Sequence, residues 1–130
     1  ILVETIFNQL LEFFDSCLEC AMRDDPEPFG RFSRAYVNAS FELLLREDLQ
    51  QWSALMMSSL TEPALKQRWS EWLAARVKQN AATDSSPTHE LARYAVDGIW
   101  VAVLHSSCAD CALPSPLVRS TLLDMTRKKP

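Results

Sequence analysis

Two glycines, Gly30 and Gly98, are all that this 130-residue chain contains. Average usage is near ~7%. A β-sandwich or barrel needs many tight turns with positive φ, which glycine supplies most readily, so its scarcity argues against an all-β fold. The same scarcity leaves helices, whose ends are punctuated here by proline. Asp25-Pro26, Thr61-Glu62-Pro63, Ser86-Pro87 and Ser115-Pro116 each set a capping side chain before a proline in a first helical turn. Proline there sacrifices no helical hydrogen bond, and the oxygen before it can accept from orphan amides. A further boundary falls at Arg46-Glu47-Asp48, where charge interrupts the apolar pattern and Asp48 can cap a new helix. The expectation is about six helices.

Apolar spacing supports each one. The first stripe, within residues 1–23, is Ile6, Leu10, Phe13, Phe14, Cys17, Leu18 and Ala21. The second segment, Phe29 to Arg46, has one line through Phe29, Phe32, Tyr36, Ala39 and Leu43 and another through Val37, Phe41, Leu44 and Leu45, so it is buried on more than one side. The third, Asp48 to Leu60, carries Leu49, Trp52, Leu55, Met56 and Leu60; the fourth, Glu62 to Asn80, carries Leu65, Trp69, Trp72, Leu73 and Val77. Asn80 to Ser86 is a polar loop.

The fifth segment, Thr88 to Ser107, has two stripes: Leu91, Tyr94, Ala95, Gly98, Ile99 and Ala102, and Ala92, Val96, Trp100 and Val103. One side meets the domain's own core, and the other calls for a second copy of the chain. Arg93 and Asp97, four residues apart, are spaced to pair along this helix. The last segment, Pro116 to Lys128, places Leu117, Val118, Leu122 and Met125 on one face, with Arg127, Lys128 and Lys129 closing it near the negative end of the helix dipole.

Several function classes fall away. With 48% hydrophobic residues the chain is not disordered, and a net charge of −4 with a pI near 5.1 gives no surface for binding nucleic acid unaided. No signal peptide opens the sequence, and the longest apolar run, Ile99 to Leu104, is far shorter than the ~20 residues of a membrane span. A reducing cytoplasm suits the four cysteines. Two CxxC pairs, Cys17/Cys20 and Cys108/Cys111, invite a zinc reading. Their separation far exceeds the ~15–20 residues of a zinc ribbon, and Cys17 sits on an apolar stripe, so core and loop cysteines are expected, with no metal and no cofactor. His89 and His105 have no nucleophile arranged beside them, and no phosphate loop, HExxH or GxSxG occurs; no catalytic residue is assigned and the chain reads as a non-enzyme.

The stretch HELARYAVDGIWVAVL (His89 to Leu104), followed after a loop by LPSPLVRSTLLDMTR (Leu113 to Arg127), resembles the last two helices of TetR-family transcriptional regulators, and the segments with Trp52 and Trp69 look like the middle of the same effector-binding domain. The resemblance implies an all-α bundle whose last two helices form a dimeric four-helix bundle, with Ile99, Ala102, Val103, Val118, Leu122 and Met125 as interface candidates. It also implies a small hydrophobic or aromatic effector held between helices, with Phe14, Phe41, Trp52, Met56, Trp69 and Trp100 as pocket candidates; for an effector that carries charge, Arg93, Asp97 or His105 is placed to meet it. Ile1 stands inside an amphipathic pattern with no start methionine and no cap. The sequence therefore reads as one effector-binding and dimerisation domain, residues 1–130, of a cytoplasmic repressor whose N-terminal helix-turn-helix domain is missing, so operator DNA would be bound only through that domain. A free-standing helical protein-interaction module is the rival reading.

Overall fold

The computed structural model describes residues 2–106 and 113–129. Among them are six helices and no strand: α1 (Leu2–Asp24), α2 (Arg31–Leu44), α3 (Leu49–Thr61), α4 (Pro63–Gln79), α5 (Pro87–His105) and α6 (Pro116–Met125). The expected all-helical fold is the observed one. Helix α2 is the axis of the bundle, packed by α1, α5 and α6, while α3 and α4 pack on each other and lean on α1. Eleven of its fourteen residues are buried, as its two apolar lines require. Against it lie Phe7, Leu10, Leu11, Phe14 and Leu18 from α1, and Ala92, Val96 and Trp100 from α5. Each of the larger of these side chains contributes roughly 1.5–3 kcal/mol through removal from water.

Two proline signals act as the sequence suggests. Ser86 Oγ accepts from the Thr88 amide (3.3 Å) and Ser115 Oγ from the Leu117 amide (3.2 Å), each beside a proline in the first turn. Two do not. Thr61 ends α3, and α4 starts at Pro63 without a side-chain cap. No helix begins at Asp25-Pro26; α2 starts at Arg31, after Gly30 in the left-handed region (φ 75°). Its amides are satisfied from the α4–α5 loop instead: Gly30 N–H donates to the Thr83 carbonyl (3.0 Å) and Ser33 N–H to Asp84 Oδ2 (2.7 Å). A buried carboxylate at a helix N-terminus is favoured by the dipole, which explains why Asp84 is buried in a loop that reads as polar. Asp48 precedes α3, but its carboxylate pairs with Arg46 (2.8 and 3.0 Å) and caps nothing.

A buried polar knot ties the ends of the bundle together. The Arg34 side chain, 2% exposed, donates to Asp25 Oδ2 (2.6 Å), the Glu27 carbonyl (2.8 Å), the Phe29 carbonyl (2.7 Å) and Thr126 Oγ1 (3.2 Å). Burial pushes the Asp25 carboxyl up, but the Arg34 guanidinium, the Glu27 amide and Arg127 outweigh it and hold it below the usual carboxylate range. The Thr126 carbonyl lies 2.9 Å from His89 Nε2, which must carry the proton because a carbonyl only accepts. Helix α6 ends at Met125, so Arg127 and Lys128 lie beyond it: Arg127 pairs with Glu27 (2.8 Å), and the Lys128 ammonium sits over the Phe29 ring (5.5 Å).

Candidate functional site

A cavity of about 310 Å³ opens among α1, α2, α3, α4 and α5. Its size falls in the range of ligand pockets. Each helix presents the residues that its periodicity brings to one side. Leu10, Leu11 and Phe14 come from α1, and Tyr36, Ser40 and Leu43 from α2 at offsets of four and three. Met56, Ser59 and Leu60 come from the end of α3, Lys66, Trp69 and Ser70 from α4, and Asp97, Trp100, Val101 and Leu104 from α5. The lining is mainly apolar and aromatic, with a few polar groups converging on it. A second hollow of about 220 Å³, between the starts of α1 and α4, is walled largely by Glu4, Asn8, Gln67, Arg68 and Glu71 and has far less apolar surface.

The aromatic wall is braced from behind. Trp72, 4% exposed, stacks on Trp69 (5.1 Å) and meets Phe14 edge-on (5.4 Å), while Phe14 also meets Tyr36 (5.6 Å). Asp15 on α1 fixes Trp72 by accepting from its Nε1 (3.0 Å), and the same oxygen accepts from Arg76 (2.9 Å). The polar end of the cavity is a pair: Tyr36 OH donates to Asp97 Oδ1 at 2.7 Å. Burial pushes the Asp97 carboxyl up, and neither the Tyr36 hydrogen bond nor Arg93 cancels the effect. Burial also raises the Tyr36 phenol well above its ordinary value, with the Asp97 charge adding to it, so the hydroxyl remains a donor.

Of the pocket candidates, Phe14, Met56, Trp69 and Trp100 meet around this cavity, and Phe41 and Trp52 do not border it. Phe41 points to a different side of α2 from Ser40, beneath the Arg119 guanidinium of α6 (5.3 Å). Trp52 lies a turn too early on α3 and stacks on Phe13 (6.4 Å), with Arg46 over both rings. Among the lining residues that sequence reasoning missed is Tyr36, which appeared only as a member of an apolar line. The Arg93–Asp97 pair is not formed, because Arg93 turns to Ser33 Oγ (2.7 Å) and Asp97 to Tyr36. His105 is exposed at the end of α5, away from the lining.

The interface candidates also divide. Ala102 and Val118 are exposed. Ile99, Val103 and Met125 are half-buried against the chain's own core, and Leu122 is buried in it. Leu122 is therefore corrected to a core residue: α6 is short and must anchor itself on α2 and α5. The apolar side chains left outside are Leu91, Tyr94 and Val101 on α5 and Leu117 and Val118 on α6. One stripe of α5 is thus covered by the core, as expected, and the other faces outward.

Among the described residues no three His, Cys, Asp or Glu side chains gather to hold a metal. Cys17 and Cys20 are free thiols on α1, with burial raising the Cys17 thiol; Cys108 and Cys111 lie outside the described residues. No described helix is long and apolar enough to cross a membrane.

Residues 30–127, from the start of α2 to just past α6, match the family model described as tetracyclin repressor-like, C-terminal domain. No curated protein and no solved structure matches the chain.

Proposed function

The chain belongs to the tetracyclin repressor-like C-terminal domain family, and on that premise we propose that residues 1–130 act as the ligand-sensing and dimerisation unit of a cytoplasmic transcriptional repressor. A small, largely apolar molecule occupies the cavity between α1 and α5, and occupancy alters how α1 sits against α4. In a regulator of this family α1 would lead back to a DNA-binding domain, so that shift would change the spacing of two DNA-binding heads. The free energy comes from the ligand's unequal affinity for the two arrangements. The cavity carries this reading: it collects side chains from five helices, is lined mainly by apolar groups, and Trp69 on its wall is linked through Trp72 to Asp15 of α1.

Dimerisation rests on the outward face. Leu91, Tyr94 and Leu117 are more than half exposed, at 55%, 62% and 74%. Three large apolar side chains on neighbouring helices α5 and α6 suit a two-fold pairing with a second copy, which would remove them from water.

The cavity is tested by titrating small aromatic molecules while following tryptophan emission and melting temperature. Binding is expected to quench or shift the emission of Trp69 and Trp100 and to raise the melting temperature, and Ser59→Phe, which fills the cavity, to remove both responses. A broad set of such molecules that moves neither signal in the wild-type protein would overturn the reading.

A further inference from the structure

Asp97 places a carboxylate on the wall of a cavity whose other walls are mostly apolar. Its immediate surroundings leave the charge largely unmatched. Tyr36 OH holds Oδ1 (2.7 Å), and no hydrogen bond reaches the other oxygen from the described residues. Arg93, one turn earlier on α5, would be the natural counter-ion, but its guanidinium is engaged with Ser33 Oγ (2.7 Å) above the Phe32 ring (5.7 Å). Lys66, the cation on the cavity wall, is exposed on α4, where water hydrates its ammonium. If Asp97 served only as an acceptor for Tyr36, an asparagine would do so without burying a charge.

Building on the cavity reading above, we propose that the molecule held there is a lipophilic cation, an amine or quaternary ammonium on an aromatic or aliphatic body, with Asp97 as its counter-ion. Tyr36 fixes the rotamer of the carboxylate, so the acceptor is set before the ligand arrives. Phe14, Trp69 and Trp100 border the same space, and aromatic rings attract cations through their quadrupoles and receive an apolar body by dispersion. The upward push on the Asp97 carboxyl records the unfavourable desolvation that a bound cation would offset.

Three probes of one shape decide the matter: phenylbutylamine, neutral phenylbutanol and anionic phenylbutanoate, titrated by calorimetry and tryptophan emission. In the wild-type protein the amine is expected to bind about tenfold or more tighter than the alcohol, the scale of one charge-assisted hydrogen bond. Asp97→Asn keeps the acceptor for Tyr36 and should bring the two within about twofold, the margin expected when no net charge is paired. Tyr36→Phe keeps the charge and should keep the preference. An alcohol or carboxylate that binds as tightly as the amine overturns the cation assignment and leaves the cavity reading standing. A preference unchanged in Asp97→Asn overturns Asp97 as its source. No response to any of the three overturns both readings, and should Asp97→Asn fail to fold, the wild-type comparison across the three probes decides alone.

Discussion

Alanine at position 30 isolates the polar knot that closes the bundle. Gly30 has φ 75°, a region that costs an L-residue roughly 1–2 kcal/mol. A Cβ there would also collide with the Thr126 carbonyl and come within 2.9 Å of both Arg34 Nη1 and His89 Nε2. Pushing Thr126 away breaks its contacts with His89 and Arg34, leaving buried polar groups unsatisfied at about 1–3 kcal/mol. Gly30→Ala should therefore lose about 2–5 kcal/mol in all. A chain of 130 residues holds roughly 6–20 kcal/mol, so the variant still folds, with its urea midpoint lowered by roughly 1–2.5 M at an m-value near 2 kcal/mol/M. Gly98 is the internal control. It lies within α5, and a Cβ added there would meet nothing within 4 Å, so Gly98→Ala should gain up to about 1 kcal/mol of helix propensity. Both are measured by urea unfolding at one low protein concentration, because association would shift the midpoint. A Gly30→Ala loss under about 1 kcal/mol, the propensity scale itself, would refute the assignment of the knot.

Asp25→Asn should cost about 1.5–3 kcal/mol at neutral pH, the range for a hydrogen bond to a charged group. Because the folded carboxyl lies below its unfolded value, that stability is present above about pH 4 and is lost as pH falls through the lowered value, so the urea midpoints of the two proteins should converge in acid; a constant gap down to about pH 2 contradicts the pairing with Arg34. Leu117→Glu should remain folded and become monomeric by light scattering, whereas Leu122→Glu should unfold, since its carboxylate would lie in the core. A wild-type protein that stays monomeric at tens of micromolar, roughly where micromolar interfaces are occupied, or a Leu117→Glu variant that stays dimeric, removes α5 and α6 as the pairing surface.

Helix positions were legible because each rests on local spacing: the stripe through Leu10, Phe14 and Leu18 and the caps at Ser86 and Ser115 need only neighbours in sequence. What was not legible depends on long separations. Asp84 caps α2 from 51 residues away, and Arg34 reaches Thr126 across 92. No local rule distinguishes Asp25, which binds Arg34, from Ser86, which caps a helix, although both precede proline. The candidate site shows the same limit. Periodicity tells which side of α2 faces inward, but Phe41 and Tyr36 both face inward, and only the placement of α6 against one and the gap beside the other separates them. Asp97 came to notice through its spacing from Arg93, yet its partner is a tyrosine 61 positions earlier.

Helix α2 divides its labour along its length. Ser33 and Arg34, in its first turn, hold the knot with the α4–α5 loop and the chain beyond α6, while Ser40 and Leu43, two turns on, form cavity wall. Substitutions that reshape the wall therefore leave the fastenings of the fold in place, and additivity of distant sites makes the two nearly independent under mutation. Exchange of Ser40 or Leu43 changes the shape and polarity of the cavity wall while Arg34 and Gly30 stay fixed. Reshaping the wall thus costs core packing at Leu43 but leaves the knot at Gly30 and Arg34 tied.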